Sequence, residues 1–138
     1  RPAEVKGLDY KYLVEKIYWE AQKSDPWEGG SYPNASPVYH GTSVLAGVKR
    51  VKDLGWIEGY KWAFNIDDVL YGIGHNGPAV LGVAWYDSMY TPDENGFIKP
   101  TGNLVGGHAI LARAVNITFN LQDLRMEKIR FCLLVSLP

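Results

Sequence analysis

The hydrophobic rhythm of the chain changes at Pro78, and that change narrows the possible architectures more than any other feature. Upstream, apolar residues recur at the i, i+3, i+4 spacing of a helix with one buried face. Leu13, Ile17 and Ala21 mark such a face within residues 8–23, while Lys11, Glu15 and Lys16 fall largely elsewhere. Val44, Val48, Val51 and Leu54 mark a second face, with Thr42 or Ser43 able to cap the helix start and Gly55 to supply a left-handed stop. A third helix is expected after Asn65, where Asp67 and Asp68 complement the helix dipole, fraying towards Gly72, Gly74 and Asn76-Gly77-Pro78. Between the second and third helices, residues 56–64 read as aromatic and extended.

Downstream of Pro78 the helical period disappears. Residues 79–86 form an apolar run between turn signals, as in a strand buried on both faces. Residues 87–103 read as a loop with a tight turn at Asn95-Gly96. A second strand is expected over 108–115 and a third over 128–135, joined by a polar connection through Asn120-Leu121-Gln122-Asp123. Helices followed by strands predict an α+β fold: a mainly helical part over 1–76 and a mainly β part over 77–138 of one domain.

Composition excludes several classes of function. The chain has 138 residues, 46% of them hydrophobic and 21% charged, which suits a globular core. Its net charge of −1 and its lack of any basic run beyond Lys49-Arg50 argue against nucleic acid as a partner. No apolar run approaches the ~20 residues of a membrane span and no signal core opens the chain, so it reads as soluble and without a membrane partner. One cysteine, Cys132, cannot form an internal disulfide. A start at Arg1-Pro2 without methionine predicts a processed chain or a piece of a longer one.

Chemistry centres on Gly106-Gly107-His108. Two glycines leave the backbone open to an extended ligand, and an imidazole at the mouth of a strand can act as general base. A satisfied core histidine after a glycine turn is the alternative. His40 and His75 read as surface or structural positions, and no spacing among the three histidines resembles a zinc site. Asp87, Asp93 and Glu94 share a loop but lack calcium-ligand spacing, so neither a metal nor a cofactor is expected. The loop through residues 25–37 should pack through Trp27, Tyr32 and Tyr39.

Gly77-Pro78-Ala79-Val80, Trp85-Tyr86, Gly96-Phe97-Ile98 and Gly106-Gly107-His108-Ala109, in that order, resemble the C-terminal half of papain-like cysteine peptidases. Upstream, Tyr18-Trp19, Asp25-Pro26-Trp27, Gly41-Thr42-Ser43-Val44, Gly55-Trp56-Ile57 and Tyr60-Lys61-Trp62-Ala63-Phe64 are similar to a bacterial and phage branch of that group. The resemblance implies a partial papain-like fold in which His108 is the catalytic histidine. Gly106 and Gly107 would then lie beside the scissile bond, and Trp85, Tyr86 and Met89 would border the substrate cleft.

The family's nucleophile is a cysteine at the start of a long helix, accompanied by a glutamine of the oxyanion hole, and residues 1–7 carry neither. Its orienting asparagine, followed by Ser-Trp-Gly, is replaced by the apolar tail Cys132-Leu133-Leu134-Val135-Ser136-Leu137-Pro138, and Asn116 lies too early to substitute. Cys132 is expected near the end of a strand paired with the His108 strand, where it reads as a small packed hydrophobe. A homologue or fragment inactive by itself is therefore expected. It would take a peptide or protein ligand in the cleft and would self-associate or require a complementary N-terminal segment to cover an exposed apolar face. The alternatives are a pseudoenzyme that binds or inhibits through the same scaffold and, from its five Trp and nine Tyr, a carbohydrate-binding module.

Overall fold

The computed structural model describes residues 9–114 and the strand backbone of residues 131–136. Residues 1–8, Asn116 and the connection 120–123 lie outside the described residues. The fold is α+β, and the described residues form three helices and a four-stranded antiparallel sheet.

Helix α1 comprises three consecutive segments, Tyr10–Tyr12, Leu13–Tyr18 and Trp19–Ser24. Asp9 caps it by accepting the Tyr12 N–H at 2.7 Å. Its middle is wound more loosely, since the Trp19 N–H reaches back five residues to the Val14 carbonyl. Helix α2, Val44–Asp53, takes Ser43 as its cap, with the Ala46 N–H donating to Ser43 Oγ at 3.0 Å. It stops at Gly55, whose φ of 75° is open to glycine at little cost. Helix α3, Ile66–His75, is capped by Asn65, which accepts the Asp68 N–H at 2.8 Å, and runs past the glycines expected to fray it.

The strands are β1 (Gly59–Ala63), β2 (Ala79–Tyr86), β3 (Leu104–Ala112) and β4 (Phe131–Ser136), in the spatial order β1-β4-β2-β3. Strand β1 therefore lies inside the part expected to be mainly helical. Three further expectations are corrected. Of β2, only Ala79 is buried, so the strand is half covered rather than enclosed on both faces. His108 sits in the middle of β3 rather than at its mouth, because the ladder with β2 already begins at Leu104. Strand β4 pairs with β1 and β2 and not with the His108 strand.

Alternation of side chains divides the sheet into two packed faces. On one, Val69 and Ile73 of α3 bury against Ala63 and Ala79, with Leu81 and Ala112 alongside. On the other, Val48 of α2 buries with Ile57, flanked by Val44, Tyr60 and Trp62. Each buried valine or isoleucine contributes roughly 1.5–3 kcal/mol by leaving water. Ala112 brings the C-terminal end of β3 against the first cluster.

Candidate functional site

A cleft of about 1360 Å³ opens between the N-terminal end of α2 and the β2–β3 ladder. Its volume follows from side-chain size. Gly82 pairs with Ala109 and Ala84 with Gly107 in the ladder, and all four line the cleft. Gly82 faces α2, since a Cβ built on it would lie 3.3 Å from Val44 Cγ2. The same alternation puts Ala84, Gly107 and Ala109 on that face, so four small residues form a low floor where larger ones would fill the space. Walls come from Tyr18, Trp27, Tyr39, Thr42 and Trp62, with Glu28 and His40 beside them.

The wall of residues 25–43 is held by two buried or half-buried polar groups. Gln22, 1% exposed on α1, donates from Nε2 to the Gly41 carbonyl at 2.8 Å and to Tyr18 Oη at 3.2 Å. Its Oε1 accepts the Ser31 N–H at 2.9 Å and the Ser31 hydroxyl at 3.0 Å. The Gly41 N–H in turn donates to Tyr18 Oη at 2.6 Å. Asp25 accepts the Tyr39 hydroxyl at 3.0 Å, the Thr42 hydroxyl at 2.8 Å and the Trp27 N–H at 3.0 Å. Partial burial and the Asp25 carboxylate push the Tyr39 hydroxyl above its ordinary pKa, so it stays a neutral donor. Trp27, expected to pack within this loop, is 55% exposed and stands at the cleft instead.

His108 lies at the border of the cleft on an exposed stretch of β3. It pairs with Val83, so alternation turns its ring away from the floor and towards the face that carries Trp85. Imidazole and indole meet edge to face at 4.7 Å between ring centroids, and Trp85 contacts Tyr90 in the same manner at 5.9 Å. Trp85 Nε1 is enclosed and finds no acceptor among the described residues.

The residues singled out from sequence are thus only partly gathered. Gly106, Gly107 and His108 line the cleft. Trp85 braces His108 from the opposite face, and Tyr86 and Met89 are not among the lining residues. Met89 is buried, and its sulfur accepts the Tyr86 N–H at 3.3 Å. This contact helps to lock the short 3₁₀ turn Asp87–Tyr90, while Ser88 Oγ lies 2.6 Å from the Thr101 carbonyl and Asp87 accepts the Asn103 N–H.

Cys132 is placed by register. It pairs with Leu81 of β2, two residues from Val83, while His108 lies across β2 on the other side. Two strand spacings and two residues along the strand set their Cα atoms about 12 Å apart. Among the described residues no group of three His, Cys, Asp or Glu could hold a metal ion. No helix among them is long and apolar enough to cross a membrane.

Sequence reasoning passed over Gln22, and named Asp25 and Trp62 only within motifs, with no role at a site. Gln22 had one available signal, as a polar residue beside Ala21 on the inward side of an otherwise apolar helix face. No family model, curated protein or solved structure matches the chain.

Proposed function

We propose that the chain is a papain-like cysteine-peptidase homologue that binds an extended polypeptide along the β2–β3 cleft and does not cleave it unaided. The carrying observation is the conjunction of an open cleft, a floor of Gly82, Ala84, Gly107 and Ala109, and His108 at its border. A peptide backbone can approach a glycine-and-alanine floor closely, while its side chains reach the aromatic walls at Trp27, Tyr39 and Trp62. His108 borders the cleft with its ring turned towards Trp85, and on rotating towards the floor it could act as general base for the thiol of another segment, taking that proton to leave a thiolate. Cys132, about 12 Å away from Cα to Cα by register, is not offered as that thiol.

Isotope-labelled chain titrated with a short peptide amide is expected to show amide shifts at Gly82, Gly106, Gly107 and His108. A fluorogenic peptide should remain uncleaved, and a thiol-directed peptidase inhibitor should modify Cys132 no faster than a buried thiol. Rapid labelling of Cys132 that disappears in His108→Ala would refute the inactive reading. Silence at residues 106–108 with peptide, together with shifts at Trp27 and Trp62 from an oligosaccharide, would replace the peptide reading with a carbohydrate-binding one.

A further inference from the structure

Trp27 and Glu28 stand at the cleft with neither side chain satisfied by the described chain. Trp27 is 55% exposed, although an indole gains more by burial than most side chains. Glu28 is exposed and makes no hydrogen bond or ion pair with any described residue. Backbone contacts hold the pair in place. The Trp27 N–H donates to Asp25 at 3.0 Å, and two residues past Glu28 the Gly30 N–H donates to the Pro37 carbonyl at 3.0 Å. Gly29, in between, is buried so tightly that a Cβ there would collide with the Pro37 carbonyl oxygen. Side chains carried on so fixed a segment are preorganised for a ligand.

Charge decides which ligand. Among the described lining residues Glu28 is the one carboxylate, and there is no lysine or arginine. A second carboxylate, Asp25, lies behind the wall, 3.0 Å from the Tyr39 hydroxyl. Cations on the two helices beside the cleft are engaged elsewhere: Lys23 with Glu20 at 2.6 Å, Arg50 with the Lys16 carbonyl at 2.7 Å and Lys52 over the Tyr60 ring. The cleft therefore presents aromatic faces and negative charge without the cation that the two together attract.

We infer that the Trp27–Glu28 end of the cleft takes a basic side chain of the bound polypeptide, arginine in preference to lysine. A guanidinium can lie flat on the indole while its N–H groups meet the carboxylate, whereas an ammonium offers a point charge and no plane. The inference rests on the peptide reading of the cleft and adds the class of residue that is read there. The two separate experimentally, because a peptide can occupy the floor of Gly82, Ala84, Gly107 and Ala109 whatever side chain it carries.

The whole chain, isotope-labelled, is titrated with an end-blocked alanine peptide carrying one arginine, and with the same peptide carrying citrulline, which keeps the shape and loses the charge. The arginine peptide is expected to bind about tenfold more tightly and to shift the indole N–H signal of Trp27. A lysine peptide should fall between the two. Glu28→Gln, an isosteric change at an exposed site, should weaken the arginine peptide about threefold while leaving the citrulline affinity and the circular dichroism spectrum unchanged. The preference for arginine should shrink as salt is raised towards about 1 M. Equal affinity for the arginine and citrulline peptides, with amide shifts at Gly82 and Gly107, overturns this inference and leaves the peptide reading standing. So does a Glu28→Gln chain that keeps the full preference. Absence of binding by every peptide, the result expected if another segment of the chain already fills the cleft, removes the peptide reading and this inference with it.

Discussion

Replacing Gln22 by alanine should destabilise the chain by about 3 kcal/mol. The figure follows from three short hydrogen bonds, to the Gly41 carbonyl at 2.8 Å, from the Ser31 N–H at 2.9 Å and from the Ser31 hydroxyl at 3.0 Å. Each contributes about 1 kcal/mol net, and the partners left without water or a substitute add to the loss. Gln22 is 1% exposed, so solvent does not readily replace the lost groups. For a domain of this size the change corresponds to a fall in melting temperature of about 10 °C. Urea titration followed by tryptophan fluorescence measures it directly.

Gln22→Glu sharpens the test, because a carboxylate oxygen would then face the Gly41 carbonyl that now accepts a hydrogen bond. Its pKa in the folded protein should be raised, so the variant should gain stability as the pH falls through that value and lose it as the pH rises. A cost below about 1 kcal/mol for Gln22→Ala would refute the claim that this residue holds the cleft wall. So would a Gln22→Glu variant whose stability is indifferent to pH.

Asn65→Ala removes the acceptor of the Asp68 N–H and should cost about 1 kcal/mol in the same urea assay, with Asn65→Ser recovering most of it. Gly29→Ala should be far more damaging than Gly55→Ala. Both residues have positive φ, but a Cβ at Gly29 would collide with the Pro37 carbonyl oxygen while one at Gly55 meets open space. About 1 kcal/mol is expected at Gly55 and at least twice that at Gly29, read as a difference in urea midpoint. Asp93 is held below the usual carboxylate range, first by the Phe97 N–H and then by Lys99 and the Asn95 N–H. Because its pKa is depressed on folding, its contribution is present above the unfolded value near 4 and is lost as the pH falls through the folded one. The amide signals of Asn95 and Phe97 should titrate together with a midpoint below that of free aspartate, and Asp93→Asn should abolish the shared transition.

Elements governed by local chemistry were legible in the sequence. The start of α2 at Thr42 or Ser43, of which Ser43 is the cap, the start of α3 after Asn65, the stop at Gly55 and the strand Ala79–Tyr86 follow from side chains within a few residues of where they act. Pairing was not legible, because it depends on residues far apart in the chain. Nothing local to Phe131–Ser136 shows that it inserts between β1 and β2 instead of lying beside β3. The position of His108 illustrates the same limit: the two glycines read as a turn before a strand, yet the ladder with Trp85 and Tyr86 carries them into β3. Gly106 and Gly107 line the cleft, whereas Met89 is drawn inward by the 3₁₀ turn that its own sulfur helps to close.

The alternation Gly82-Val83-Ala84-Trp85 against Gly106-Gly107-His108-Ala109 has two consequences that separate in space. On the face towards α2 it leaves only small residues, which is why the cleft exists. On the other face it sets Trp85 edge to face against His108. A ligand in the cleft would meet the first face, whereas the ring of His108 lies on the second, against Trp85. To reach a ligand on the floor the imidazole must leave Trp85 and give up an edge-to-face contact worth about 0.5–1.5 kcal/mol. Peptide that engages His108 should therefore shift the indole signal of Trp85 together with the amides of Gly82 and Gly107. Shifts of those amides with the Trp85 indole unchanged would leave His108 outside the binding event.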